Sequence, residues 1–143
     1  MQTDLTSKNF VIYRSSAGSG KTFTLVKEYL KLALGNMSSN TLYFKSILAV
    51  TFTNKAAGEM KERVLRALKE LSRNELSGGT STLQSLLLQE LNLDAAELQR
   101  RASVLLHEIL HNYSDFSIST IDSFVHRVIR TFAYDLKLPV NFN

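Results

Sequence analysis

The sequence predicts an α/β fold in which the strands of a parallel sheet alternate with helices. Three short apolar runs, at 10–13, 46–52 and 116–120, are each followed by a segment with helical spacing of apolar residues. This alternation is typical of parallel sheets. The second run has few polar breaks, so we expect it to form a strand that is buried on both faces. Three strands make an incomplete sheet, and we expect the 143 residues to be a truncated piece of a larger domain.

The helices are predicted from apolar residues that recur every three or four positions. The segment 23–34 has this spacing and ends at Gly35-Asn36, a pair that favours a helix C-terminus. The segment 54–71 carries a mixed-charge face, which is usually solvated, and an opposite face that we expect to be buried. The residues on that buried face are Ala57, Met60, Val64, Ala67, Leu68 and Leu71.

A helical excursion is expected at about 76–113, between the second and third strands. It begins with the linker-like stretch 77–81 and continues with a leucine-rich helix over 83–91. Asp94 and Glu97 form a capping-box pair that opens a longer helix. We expect its core stripe to contain Leu98, Ala102, Leu105, Leu106, Ile109, Leu110 and Tyr113. The last helix has an equally clear stripe, formed by Ile121, Phe124, Val125, Val128, Ile129 and Phe132.

Length and composition restrict the class of protein. A chain of 143 residues is long enough for one domain with a buried core, and 44% of its residues are hydrophobic. It has no cysteine, which excludes disulfides, thiolate metal sites and cysteine nucleophiles. The net charge of +4 only slightly favours a polyanionic partner. No apolar run approaches the roughly 18–20 residues of a membrane helix, so we expect no membrane association and a cytoplasmic location.

The most informative motif is the run Ser-Ser-Ala-Gly-Ser-Gly-Lys-Thr at 15–22, between the first strand and the first helix. A glycine-rich turn in this context lets backbone N–H groups surround a phosphate at the positive end of the helix dipole. Lys21 is then expected to reach the β- and γ-phosphates of a nucleotide, and the Thr22 hydroxyl to hold Mg²⁺. The predicted phosphate-loop residues are Ser16, Ala17, Gly18, Ser19, Gly20, Lys21 and Thr22.

Two later segments lie where a predicted strand becomes a helix, which is the edge of an α/β sheet that binds ligands. In the first, Phe52 can stack on a nucleic-acid base, Lys55 adds a cation, and Thr53 or Asn54 can cap the helix. The alternative is that Phe52 belongs to the core and Lys55 is merely solvated.

In the second segment, the hydroxyls of Thr120 and Ser123 can hydrogen-bond a phosphate backbone. The alternative for these two residues is an ordinary helix cap.

Together the three segments resemble UvrD/Rep-type superfamily 1 DNA helicases, and most closely the exonuclease V beta-subunit branch. Residues 16–25 (Ser-Ala-Gly-Ser-Gly-Lys-Thr-Phe-Thr-Leu) resemble motif I, 51–57 (Thr-Phe-Thr-Asn-Lys-Ala-Ala) motif Ia and 119–124 (Ser-Thr-Ile-Asp-Ser-Phe) motif Ib. The resemblance covers roughly 10–142, with the order and spacing of the family. It implies that the chain is the N-terminal part of a RecA-like motor domain, with the helical excursion inserted in it.

The resemblance also implies an activity and its partners. Proteins of this family hydrolyse ATP with Mg²⁺ and move 3′ to 5′ along single-stranded DNA, from duplex ends, in repair or recombination. A nuclease or helicase partner subunit is a further implication. By position, Lys21 and Thr22 carry the ATP chemistry, whereas Phe52, Thr53, Asn54, Lys55, Thr120 and Ser123 contact DNA.

The chain departs from the family pattern in three respects. Asp122 stands where histidine is common, and its carboxylate would repel a DNA phosphate. No glutamine motif precedes the first strand at a suitable distance. The Asp-Glu pair of motif II and the later arginine motifs, which activate water and stabilise the transferring phosphoryl group, do not occur in these residues. We therefore expect the 143 residues alone to bind nucleotide weakly and not to turn over.

Rival interpretations start from other residues. A free-standing P-loop NTPase or kinase would use Asp122 as its Mg²⁺-binding acid, and a non-catalytic scaffold would keep only the phosphate loop. The run His-Glu-Ile-Leu-His at 107–111 matches a zinc-protease signature, but no third ligand follows at a familiar spacing. We therefore favour an ordinary solvent-facing helix there.

Overall fold

A computed structural model of the chain describes residues 11–14 and 20–133. Five helices and two strands follow one another in these residues. The helices are α1 (Lys21–Gly35), α2 (Asn54–Arg73), α3 (Gly78–Leu91), α4 (Ala95–His111) and α5 (Ile121–Ala133). The strands are β1 (Ala49–Thr51), which precedes α2, and β2 (Ile118–Thr120), which precedes α5. The order confirms a mixed α/β chain with a parallel sheet.

The sheet is small because only β1 and β2 pair among the described residues. The strands are parallel, with Ala49 opposite Ile118 and Thr51 opposite Thr120. The prediction of a first strand at 10–13 is wrong for residues 11–13, which are extended away from the sheet and exposed, while Phe10 lies outside the described residues. Without a neighbouring strand, this segment has no ladder of backbone hydrogen bonds to join.

The second predicted strand is shorter and less buried than its sequence suggests. Residues 43–46 form a 3₁₀ turn, and only Ala49–Thr51 pair with β2. Leu48 and Val50 are each 44% exposed, so the expectation that both faces are buried is wrong. Nothing among the described elements covers the side of β1 to which these two side chains belong.

The core lies among α1, α2, α3 and α4. The predicted face of α2 is confirmed, because all six residues of its stripe are buried. Helix α4 packs along α2, and its residues Leu98, Ala102, Leu105 and Ile109 are buried as expected. Leu110 and Tyr113, which were predicted for the same stripe, are exposed because they lie at the margin of that contact.

Polar side chains fix the helix ends. Asp94 accepts a hydrogen bond from the Glu97 backbone N–H at 2.7 Å, which confirms it as the N-cap of α4. The predicted linker at 77–81 is instead the first turn of α3. A side chain from another helix explains this start, since the Glu70 carboxylate accepts hydrogen bonds from the Ser77 N–H and hydroxyl. Those bonds, with one from Thr80, lower the pKa of Glu70.

Helix α5 packs against both strands through its first turns. Its predicted core stripe is largely exposed, and among the described residues only Ala133 of this helix is buried. Exposed stripe members include Ile121, Val125, Val128 and Phe132. The expectation that this stripe faces a core is therefore wrong for the described part of the chain.

Candidate nucleotide and nucleic-acid site

The first candidate site is the N-terminus of α1. Gly20 precedes the helix with φ of 83°, a left-handed conformation that favours glycine, and no side chain caps the helix. The first turn of α1 contains no acidic residue, so its positive end is not neutralised by the chain. Lys21 is exposed and Thr22 is half-buried at this end. Ser16, Ala17, Gly18 and Ser19, the rest of the predicted loop, lie outside the described residues.

This helix end suits a nucleotide phosphate with Mg²⁺. Anions bind at helix N-termini, and Mg²⁺ in phosphate sites takes few protein ligands besides phosphate oxygens and water. The hydroxyl of Thr22 and the ammonium group of Lys21 are the described groups that could serve there. No third ligating side chain gathers with them in the described ranges.

The second candidate site is the edge of the sheet where β1 and β2 end. Thr51 and Thr120 are partners across the strands, and each strand leads directly into a helix. Adjacent strands lie about 4.8 Å apart. The N-termini of α2 and α5 are therefore brought together at one edge, which unites the two predicted DNA-contacting segments.

Helix α2 begins with a well-defined cap. The Thr53 hydroxyl accepts a hydrogen bond from the Ala56 N–H at 3.1 Å, and the Thr51 hydroxyl donates to the Thr53 carbonyl at 3.0 Å. Thr53 is thus the cap, and the neighbouring Asn54 is exposed. These bonds hold the short connection between β1 and α2 in a fixed shape.

Two exposed side chains project from this connection. Phe52 is 88% exposed, which excludes the alternative that it belongs to the core of the described chain. Lys55, on the first turn of α2, is exposed and forms no ion pair with another described residue. An exposed ring beside an unpaired cation can stack on a base and attract the phosphate next to it.

At α5 the hydroxyl groups cap the helix. Thr120 is buried, and its hydroxyl donates to Ser123 Oγ at 2.9 Å and accepts from the Ser123 N–H at 3.2 Å. The Thr120 hydroxyl is thereby occupied, whereas the exposed Ser123 hydroxyl keeps its hydrogen for another acceptor. Asp122 is exposed on the same turn. It stands in the helix rather than at the strand end, so the kinase interpretation is not favoured.

The histidine pair at 107–111 has no metal geometry. The rings of His107 and His111 lie 3.9 Å apart, and His111 Nδ1 lies 2.8 Å from the His107 carbonyl oxygen. Across 11–14 and 20–133 no three histidine, aspartate or glutamate side chains gather as metal ligands. This agrees with the ordinary solvent-facing helix.

One feature of the helical layer was missed by reasoning from the sequence. Arg63 and Arg66, which seemed merely solvated, line a cavity between α1, α2 and α3. A possible signal is the run 76–89, which contains no charged residue and faces these arginines in the fold.

Comparison with known proteins identifies the family. The UvrD/REP helicase N-terminal domain family matches residues 2–143, and the chain belongs to this family. The resemblance found in the three motifs is therefore confirmed. No solved structure matches the chain.

The chain is similar to several ATP-dependent helicase/nuclease subunits of the A type. That of Listeria monocytogenes serotype 4b is 35% identical over 134 residues, which are 94% of this chain and 9% of the relative. That of Streptococcus mutans is 30% identical over 137 residues, 96% and 9% of the two chains. That of Clostridium kluyveri is 33% identical over 132 residues, 92% and 8%. The chain thus spans about a tenth of the length of these relatives. In its described part, no helix is both long and apolar enough to cross a membrane.

Proposed function

We propose that these residues form the part of an ATP-dependent DNA helicase that holds the ATP phosphates and contacts single-stranded DNA. The observation that carries the proposal is the shared sheet edge of β1 and β2. It places the exposed Phe52 and Lys55 of one segment beside the Ser123 hydroxyl of the other. Membership of the helicase family and the names of the relatives support the same function.

The ATP site in this proposal is the N-terminus of α1. Gly20 gives the loop its tight turn, Lys21 neutralises the β- and γ-phosphates, and Thr22 holds Mg²⁺ when ATP is bound. Bound Mg²⁺ bridges phosphate oxygens and offsets their charge. Ser16, Ala17, Gly18 and Ser19 complete the loop by their place in the motif. The core around this site is proposed to be RecA-like.

The DNA site contributes contacts that do not read sequence. A base stacks on Phe52, and Lys55 with the N-terminus of α2 attracts the adjoining phosphate. Thr53 and Asn54 expose the backbone of the same turn. On the neighbouring helix Ser123 donates to a phosphate oxygen, while Thr120 orients Ser123 through the bonds described above.

The finer functional assignments follow the family. We propose 3′ to 5′ movement on DNA, a role in repair or recombination that starts from duplex ends, and a nuclease or helicase partner subunit. The cytoplasmic location expected from the sequence belongs to the same proposal. The 143 residues alone are proposed to bind ATP weakly and not to hydrolyse it, since motif II is not among them.

The experiment that tests this function is DNA-stimulated ATP hydrolysis by the helicase polypeptide that carries these residues. Lys21→Ala should abolish hydrolysis, because Lys21 is the residue expected to neutralise the transferred phosphate. Lys69→Ala is the matched control, since Lys69 is an exposed lysine on α2 outside both proposed sites. Hydrolysis that survives Lys21→Ala at the wild-type rate would overturn the ATP site.

A further inference from the structure

A cavity of about 180 Å³ opens between α1, α2 and α3. Its floor is apolar and consists of Val26, Ala67 and Leu83, which are buried, with the half-buried Phe23 at one side. Its rim carries the guanidinium groups of Arg63 and Arg66, both of which are exposed. The cavity therefore combines a small apolar recess with two cations.

The two arginines are poorly neutralised by their surroundings. Arg63 forms no ion pair with a described residue, and Arg66 has only a loose one, 4.0 Å from Glu62. The facing part of α3 is uncharged from Gly78 to Gln89. Glu70 is the acidic group on the cavity side of α2, and its hydrogen bonds to Ser77 direct it to the N-terminus of α3.

The floor decides which anionic ligand fits. A nucleobase has hydrogen-bonding groups around its edge, and an aliphatic floor would leave them unpaired, at a cost of desolvation. An aliphatic or aromatic side chain loses nothing there. Carboxylates are suitable partners for the rim, since they form two parallel hydrogen bonds with a guanidinium group.

We propose that this cavity binds an acidic peptide, which inserts one apolar side chain between α1, α2 and α3 and places its carboxylates on Arg63 and Arg66. A buried anchor surrounded by charge pairs is the usual arrangement of a small protein-recognition site. The site is separate from the proposed DNA contacts. Arg63 lies nine residues beyond the start of α2 at Asn54, about 13 Å along the helix.

The test is fluorescence anisotropy of a labelled peptide with the 143-residue chain. The peptide consists of three aspartates followed by leucine and phenylalanine, with a free terminal carboxylate. Arg63→Ala and Arg66→Ala should each weaken binding by about tenfold, the loss expected for one charge-assisted contact. Arg73→Ala is the matched control, because Arg73 is an exposed arginine on α2 that does not line the cavity.

A second peptide, in which two glycines replace the leucine and phenylalanine, tests the apolar anchor and should bind much more weakly. Circular dichroism and thermal unfolding verify that each variant keeps its fold. Equal binding by wild type and both arginine variants would overturn the proposal. So would equal binding of the two peptides, or displacement of the first peptide by ATP or by oligo(dT).

Discussion

Thr51 and Thr120 lie opposite each other as the last residues of the two parallel strands. Their backbone pairing places the N-termini of α2 and α5 side by side, although some 70 residues separate them in sequence. Each threonine also fixes the turn that follows it. Thr51 donates to the Thr53 carbonyl, and Thr120 hydrogen-bonds Ser123. The arrangement therefore joins two segments of the candidate DNA surface through the sheet itself.

Arg101 should be a main support of the helical layer. Its side chain is 11% exposed and donates to the Leu34 carbonyl and to Ser38 Oγ, both at 2.8 Å, and to Glu97 at 2.7 Å. It thus satisfies the C-terminal end of α1 from α4. We expect Arg101→Ala to lower the free energy of unfolding by about 2–3 kcal/mol, as measured by urea denaturation.

The conservative change at the same position is informative. Lysine carries the charge but cannot make the forked set of bonds, so Arg101→Lys should recover only part of the loss. Full recovery by lysine would show that charge alone, rather than the three hydrogen bonds, matters at this position.

Glu97 should make stability depend on pH. Hydrogen bonds from Arg100 and Arg101 lower the pKa of Glu97 from its usual 4.5 to about 2. Because the pKa is lowered in the folded state, the stabilisation is present above pH 4.5 and is lost as the pH falls toward 2. Wild type should therefore unfold at a higher temperature than Glu97→Gln at neutral pH, and the difference should shrink as the pH falls through this range. A difference that stays constant with pH would contradict the assignment.

The exposed stripe of α5 gives a test of the packing. Phe132→Gln should change the free energy of unfolding of the 143-residue chain by less than about 0.5 kcal/mol, since Phe132 is 51% exposed. Leu105→Ala, in the fully buried face of α4, should cost about 2–5 kcal/mol. Urea denaturation of the two variants measures both. A loss of several kcal/mol for Phe132→Gln would show that α5 is covered in solution.

This contrast between α2 and α5 shows what helical periodicity can predict. The stripe that contains Val64 and Leu68 was predicted correctly because α4 and α1 pack on it. The stripe that contains Val125 and Val128 has the same period, yet the described chain provides no helix to cover it. Periodicity identifies the apolar face of a helix, whereas burial also requires a partner, and that partner is a property of the fold.

Local signals were reliable where the interaction is itself local. Asp94 caps α4 through a contact three residues away, as the capping box predicts. The start of α3 depends instead on Glu70, a residue of the preceding helix, so composition alone indicated a linker. The sheet edge was predicted from the ends of the strands, but the pairing of Thr51 with Thr120 required the structure. The cavity beside Arg63 arises from three helices and has no local signal of its own.

The most direct test of the account is the affinity of the 143-residue chain for single-stranded DNA. Fluorescence anisotropy with a labelled oligo(dT) at low salt measures it, with Phe52→Ala and Lys55→Ala as test variants and Lys69→Ala as control. Stacking of one base contributes about 1–3 kcal/mol, so Phe52→Ala should weaken binding by about 5- to 150-fold. Lys55→Ala should also weaken binding and reduce its salt dependence, whereas Lys69→Ala should do neither. Wild-type affinity in both Phe52→Ala and Lys55→Ala would contradict the claim that this sheet edge binds DNA.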